Sequence, residues 1–208
     1  MQISLIRHTA LQIAPGICYG QSDIDVAASF MNEANVLKQK LHGTTFDAIY
    51  TSPLQRCVKL AHALDLGDVI QDKNLKELHF GDWEMQAWED IPRDVFDEWA
   101  HNYAELAPPN GETFSQLQMR GVTFLDELLN GFTFQDSKLN SFEMAKNDSA
   151  HILVVTHGGM IRALIAHVLG IQLKSLFRFN IGYASMTQLE MTSLDFKQHV
   201  PKINFINR

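Results

Sequence analysis

The sequence predicts an α/β sandwich, a mostly parallel central sheet flanked by helices on both faces. Three observations predict it. Apolar runs of strand length occur at Ile3–Ile6, Phe46–Tyr50 and Ile152–Val155, and each ends in a polar turn. Behind the second and third turns, apolar residues recur at helical spacing. The first and third runs also end alike, in Arg7-His8 and in Thr156-His157-Gly158-Gly159, about 150 residues apart.

The elements follow in chain order. Ile3 to Ile6, apolar but for Ser4, reads as a buried strand, because parallel strands covered on both faces are near-continuously apolar. After Phe46–Tyr50 comes Thr51-Ser52-Pro53, where Ser52 suits a helix cap and Pro53 a first helical turn. Leu54, Val58, Ala61 and Leu64 then mark one helical face. Thr113 with Gln116 forms a capping box, and Phe114, Leu117, Gly121, Phe124 and Leu128 continue that helix. The stretch 132–149 is polar and weakly periodic, with Ser137, Asn140, Ser141, Asn147 and Asp148, and reads as a loop or short exposed elements. A helix beginning at Gly158-Gly159 carries Met160, Leu164 and Val168 on one face, and late strands near 185–191 and 202–206 complete the sheet.

Composition narrows the class. A chain of 208 residues, 46% hydrophobic and 20% charged, fits one domain over 1–208 with its own core. No apolar run approaches the ~20 residues that span a bilayer, so no membrane partner is expected. The chain opens on its first strand without the pattern of a secretory signal, which makes the cytoplasm the expected location. A net charge of −7 disfavours nucleic acid, whose binding needs clustered Lys and Arg. Cys18 and Cys57 are too few for a disulfide framework and lack zinc or redox spacing.

In open α/β folds the ligand crevice lies beyond the carboxyl ends of the strands. Here those ends bring Arg7-His8, the turn from Ser52 to Arg56, and His157. Two guanidinium forks, two imidazoles and a helix N-terminus make a site for a small anion, and phosphate suits it best.

These residues, in this order, resemble the histidine phosphatase superfamily, in the branch of the cofactor-dependent phosphoglycerate mutases and their phosphatase relatives. The resemblance spans nearly the whole chain: Arg7-His8, Arg56 within Thr51-Ser52-Pro53-Leu54-Gln55-Arg56, Glu77 within Leu75-Lys76-Glu77-Leu78-His79-Phe80-Gly81-Asp82-Trp83-Glu84, and His157 before Gly158-Gly159. Gly111-Glu112-Thr113 followed by Arg120 is similar to the family's pattern before its long helix. Two positions depart from it, since Thr9 and Met85 stand where the family has glycine. The stretch Ala14-Pro15-Gly16-Ile17-Cys18-Tyr19-Gly20-Gln21-Ser22-Asp23 is similar to the α-ribazole phosphatases of cobalamin biosynthesis, and favours phosphatase over mutase.

The resemblance implies a histidine phosphatase-like fold and a metal-independent phosphomonoesterase without cofactor. His8 would be the nucleophile, Glu77 the acid and base, and Arg7, Arg56 and His157 the groups holding phosphate oxygens. Thr9, Gln21, Ser22 and Gly158 are further candidates for substrate binding, although turn and cap roles suit them equally. The expected partner is a small phosphorylated substrate, a nucleoside monophosphate analogue; a homodimer is compatible with the sequence. Alternatives are a phosphoglycerate mutase, a broad sugar-phosphate phosphatase, and a non-catalytic phosphoprotein-binding module. Residues 83–110 would form a substrate-covering insertion, in which Trp83, Trp88, Phe96, Trp99 and Tyr103 either pack together or wall the cleft. Cys18 is expected to be inert, and the histidines other than His8 and His157 to be structural.

Overall fold

The alternation of side chains along two central strands divides the core into two layers. In the computed structural model, which describes residues 1–134, 150–191 and 201–208, β1 (Gln2–Arg7) and β4 (His151–Thr156) pair in parallel. Ile3, Leu5, Ile152 and Val154 point to one face; Ile6, Leu153 and Val155 point to the other. All seven are fully buried, as expected for strands at the centre of a covered sheet.

Among the described residues the sheet has six strands in the order β3-β2-β4-β1-β5-β6. β2 (Ala48–Thr51) pairs in parallel with β4, and β3 (Val69–Gln71) in parallel with β2. β5 (Met186–Glu190) runs antiparallel to β1, and β6 (Lys202–Phe205) antiparallel to β5. Helices α1 (Phe30–Lys40) and α2 (Gln55–Leu64) cover one face through Ala34, Leu37, Leu60 and Leu64. On the other face lie α4 (Phe114–Phe134) and α5 (Gly158–Leu169), with α3 (Arg93–Asn102) adding Trp99. This is the three-layer α/β sandwich expected from the sequence.

The capping box at α4 is present: Gln116 N–H donates to Thr113 Oγ1 at 3.1 Å, and Thr113 N–H to Gln116 Oε1 at 2.8 Å. At Gly121 a Cβ would lie 2.7 Å from Met160 Sδ, so the missing side chain lets α4 press against α5. Residues 132–134 of the polar stretch belong to α4, and 135–149 lie outside the described residues.

The expectation for Ser52 needs correction. Helix α2 begins at Gln55, its N-cap is Leu54, and Pro53 precedes the helix. A first-turn N–H, that of Gln55, donates instead to Asp23 Oδ1 at 2.8 Å from a loop 32 residues away. Ser52 is thereby left for another bond, described below.

The aromatic segment packs on itself. Trp83 and Trp99 stand 5.5 Å apart edge to face, Trp88 and Phe96 5.8 Å, and Trp99 and Tyr103 6.1 Å, while Phe80 joins at 5.9 Å from Trp99. The start of this segment pairs with an earlier loop: Met85 N–H donates to Cys18 O and Cys18 N–H to Gln86 O, each at 2.8 Å. Met85 has φ +69°, a left-handed conformation easiest without a Cβ, in keeping with the glycine that the resemblance leads one to expect there.

Candidate active site

Parallel register brings the chemistry together. Arg7 lies opposite Thr156 at the carboxyl ends of β1 and β4, so His8 and His157 leave the sheet side by side. Their ring centroids are 5.2 Å apart. Thr51, opposite Val155, ends β2 on the far side of β4, and Arg56 follows from the first turn of α2. The sheet thus collects residues from positions 7 to 157 at one edge.

His8 is 1% exposed. Its Nδ1 lies 2.8 Å from the Thr9 carbonyl, which can only accept, so Nδ1 carries the proton and Nε2 keeps a lone pair. Burial, then the charges of Arg56 and Arg7, push the His8 pKa well below its ordinary value. The result is a neutral imidazole with a free ring nitrogen between two cations.

Arg56 is fully buried, its Nη2 donating to Gly20 O at 2.5 Å and its Nη1 to Ser22 O at 2.9 Å. Its Nε donates to His157 Nδ1 at 3.3 Å. An arginine cannot accept, so His157 Nδ1 is the acceptor and Nε2–H points to Ser52 Oγ at 2.8 Å. Burial and then Arg56 hold the His157 pKa well below its ordinary value, in keeping with a neutral ring. Both nitrogens of His157 are therefore engaged in orienting Arg56 and Ser52.

Arg7 donates from Nη1 to Ile181 O at 2.6 Å, and its guanidinium carbon lies 3.9 Å from the centre of the Tyr183 ring. Its Nε is buried without a partner, as is Thr9 Oγ1. Such donors are costly to leave empty, and both lie within two residues of the histidine nitrogen that is free.

Glu77 is held against the start of α5. Its Oε2 accepts from Gly159 N–H at 2.9 Å, and its Oε1 from Leu78 N–H at 3.0 Å. A Cβ on Gly159 would lie 2.3 Å from Glu77 Oε1, which only glycine avoids. Replacement Gly159→Ala is expected to displace the Glu77 carboxyl from the start of α5, seen as a shifted carboxyl in a crystal structure of the variant, with the fold retained by circular dichroism. Behind Glu77, Arg120 donates to the carbonyls of Asn74, Lys76 and Glu77 while paired with Glu112 through Nε at 2.7 Å and Nη2 at 2.9 Å. The charged pair grips the segment that carries Glu77.

Gln21 and Ser22 are tied into their own loop. Glu84 accepts from Gln21 N–H at 2.9 Å and from both the N–H and hydroxyl of Ser22, and Gln21 Nε2 donates to Glu77 O at 3.1 Å. Burial opposes the charge on Glu84, yet the bonds from Ser22, Gln21 and Phe80 hold its pKa below the usual carboxylate range. Cys18 is buried, and burial followed by the Glu84 charge pushes its thiol up to about 12, so it is inert as expected.

Several site residues escaped the sequence reading: Tyr19, Ser52 as a partner of His157, Glu84, Arg162 and Tyr183. Arg162 is half-buried on α5, with Nη1 3.0 Å from where a Gly158 Cβ would stand, beside Arg7 Nε at 3.2 Å. Of these, Tyr19, Ser52 and Glu84 had a signal, each lying inside a quoted motif or stretch.

The histidine phosphatase superfamily (branch 1) matches residues 3–203. The chain belongs to that superfamily. This histidine phosphatase is 26% identical over 203 residues to the adenosylcobalamin/alpha-ribazole phosphatase of Escherichia coli (strain K12), covering 92% of this chain and 90% of that protein. It is 25% identical over 201 residues to phosphoserine phosphatase 1 of Hydrogenobacter thermophilus, covering 92% and 87%. The crystal structure of the alpha-ribazole phosphatase from Shigella flexneri superposes with a TM-score of 0.80 at 24% identity, over 100% of this chain and 96% of that one. The fold and family of this histidine phosphatase are those of phosphoric monoester hydrolases. Among its described residues no helix is long and apolar enough to cross a membrane.

Proposed function

We propose that the protein hydrolyses small phosphomonoesters through a phosphohistidine on His8, and that its substrate is α-ribazole-5'-phosphate, a nucleoside monophosphate analogue of cobalamin biosynthesis. One observation carries the chemistry: a buried, neutral His8 whose Nε2 is unengaged beside two arginines. The substrate reading rests on the loop from Ala14 to Asp23 and on the alpha-ribazole phosphatases among the relatives. Residues 1–208 act as one cytoplasmic domain, in which segment 83–110 is a substrate-covering insertion.

In the first step His8 Nε2 attacks phosphorus in line. The P–N bond forms as the ester P–O bond breaks, and Glu77 gives its proton to the departing alkoxide. In the second step Glu77 takes a proton from water as that water attacks phosphorus. The P–N bond breaks, phosphate leaves, and His8 returns to its neutral form. Arg7 and Arg56 neutralise the equatorial oxygens, His157 holds Arg56 in place, and the N-terminus of α5 at Gly158 adds its positive dipole end. Arg7 Nε and Thr9 Oγ1, buried and unpartnered, gain phosphate oxygens as partners.

A phosphatase panel tests the reading: α-ribazole-5'-phosphate, phosphoglycerates, phosphoserine and sugar phosphates, compared by kcat/KM. A clear preference for α-ribazole-5'-phosphate is expected, and preference for any other member overturns that substrate. Absence of turnover throughout would leave the phosphoprotein-binding alternative. Glu77→Gln is expected to slow release of alkyl alcohols by about 10²- to 10⁴-fold while sparing p-nitrophenol, a leaving group that needs no proton. Equal losses would remove Glu77 from the acid role.

A further inference from the structure

The aromatic surface nearest the nucleophile is not the tryptophan cluster. Tyr183 stands 5.6 Å from the His8 ring and covers the Arg7 guanidinium. Tyr19 faces Arg56, whose guanidinium carbon lies 5.9 Å from its ring centre. The two hydroxyls meet at 2.5 Å, although the residues are 164 apart in sequence.

Each tyrosine rides on the loop that holds the arginine beneath it. Arg7 Nη1 donates to Ile181 O, two residues before Tyr183. Arg56 donates to Gly20 O and Ser22 O, immediately after Tyr19. Both loops are braced. Ala184 N–H donates to His8 O at 3.1 Å, Arg7 N–H to Ser185 O at 3.0 Å, and Gly182 N–H to Asn207 Oδ1 at 2.6 Å. Ala184 itself sits at φ +49°, a strained conformation for a residue with a Cβ, directly behind Tyr183. On the other side, Cys18 is paired to the 85–86 backbone and Glu84 grips Gln21 and Ser22.

The surroundings place the pair on the side of the departing alcohol. Gln21, two residues after Tyr19, donates from Nε2 to Glu77 O at 3.1 Å, so the Tyr19 loop abuts the segment that carries Glu77. Glu77 is the proton donor to the leaving group in the function proposed above. Tyr183 is 40% exposed and Tyr19 half-buried, so both rings are reachable from solvent. Two phenol faces flanking a phosphate site favour a flat, polarisable leaving group over an aliphatic one, because offset stacking adds to simple burial.

We propose that Tyr19 and Tyr183 form a clamp for the aromatic base of a nucleoside-type phosphomonoester and set the enzyme's preference for such substrates. The two rings meet through their hydroxyls. With ligand the rings flank the base, and the loops that carry them keep Arg7 and Arg56 on the phosphate. The inference rests on the phosphohydrolase reading and on Glu77 as the acid, and goes beyond both in naming what holds the alcohol portion.

The experiment compares wild type with Tyr19→Ala, Tyr183→Ala, Tyr19→Phe and Tyr183→Phe on α-ribazole-5'-phosphate, on adenosine 5'-monophosphate and on glycerol 3-phosphate. The ratio of kcat/KM, aromatic over aliphatic, is expected to fall about tenfold in each alanine variant and to survive in the phenylalanine variants. Losses shared by all three substrates report the cover over Arg7 and cancel in the ratio. Calorimetric binding of the same esters to the His8→Ala protein, with and without the tyrosine changes, yields the ratio where turnover is slow. An unchanged ratio in both alanine variants overturns the clamp. Equal wild-type rates on α-ribazole-5'-phosphate and adenosine 5'-monophosphate would instead overturn the named substrate while the clamp stands.

Discussion

His8→Ala is expected to abolish phosphatase turnover and to leave no acid-labile phosphoenzyme after rapid quenching with a labelled substrate. The ring nitrogen that the Thr9 carbonyl leaves free is the nucleophile of the proposed mechanism. Arg7 and Arg56 remain in the variant, so inorganic phosphate should still bind, which separates lost chemistry from lost structure. Normal turnover would remove His8 from the mechanism.

The same residue predicts a pH dependence. A depressed His8 pKa keeps the nucleophile neutral below pH 6.5, so its protonation should not limit kcat/KM near the ordinary histidine pKa. Stability behaves differently. Histidines at positions 8 and 157 both have folded pKa values far below 6.5, so the unfolded chain binds more protons as pH falls. Their neutral burial is free of this penalty above pH 6.5, and stability is lost progressively as pH drops from there towards the folded pKa values. His8→Ala should flatten part of that acid limb in urea titrations at pH 7 and pH 5, leaving the share of His157. An unchanged acid limb would show that His8 is not buried as a neutral ring.

Arg56→Ala is expected to lower kcat by about 10²- to 10³-fold and also to destabilise the fold. The second effect follows from burial: the guanidinium serves Gly20 O, Ser22 O and His157 Nδ1 together, and its removal strands acceptors that cost about 1–3 kcal/mol each when unsatisfied. Water entering the space offsets part of that cost. Arg56→Lys keeps the charge but has no planar fork to span three acceptors, so it should recover less than a tenth of the lost activity. Full activity in Arg56→Lys would reduce the residue to a point charge.

The sheet strands at its centre were legible because Ile3–Ile6 and Ile152–Val155 are buried on both faces and therefore apolar except for Ser4. Helix α4 announced itself by its capping box and its spacing. Helix α1 did not, since among its residues only Ala34 and Leu37 are buried, and β3 is a three-residue edge strand. Ser52 misled for a related reason: a serine before a helix reads as a cap, but here its hydroxyl meets His157 and reaches only the N–H of Leu54, at 3.4 Å, rather than a first-turn N–H.

Sequence alone determined the sandwich and the superfamily, and nominated His8, Arg7, Arg56, Glu77 and His157 as the candidate site, because strand-end motifs keep their order and neighbours along the chain. Only the tertiary structure decided what those residues touch. Parallel pairing of β1 with β4 set the histidines 5.2 Å apart, Gly159 admitted Glu77 to the start of α5, and two loops 164 residues apart closed Tyr19 on Tyr183. Contacts of that kind depend on distances across the sheet edge, which no local spacing encodes.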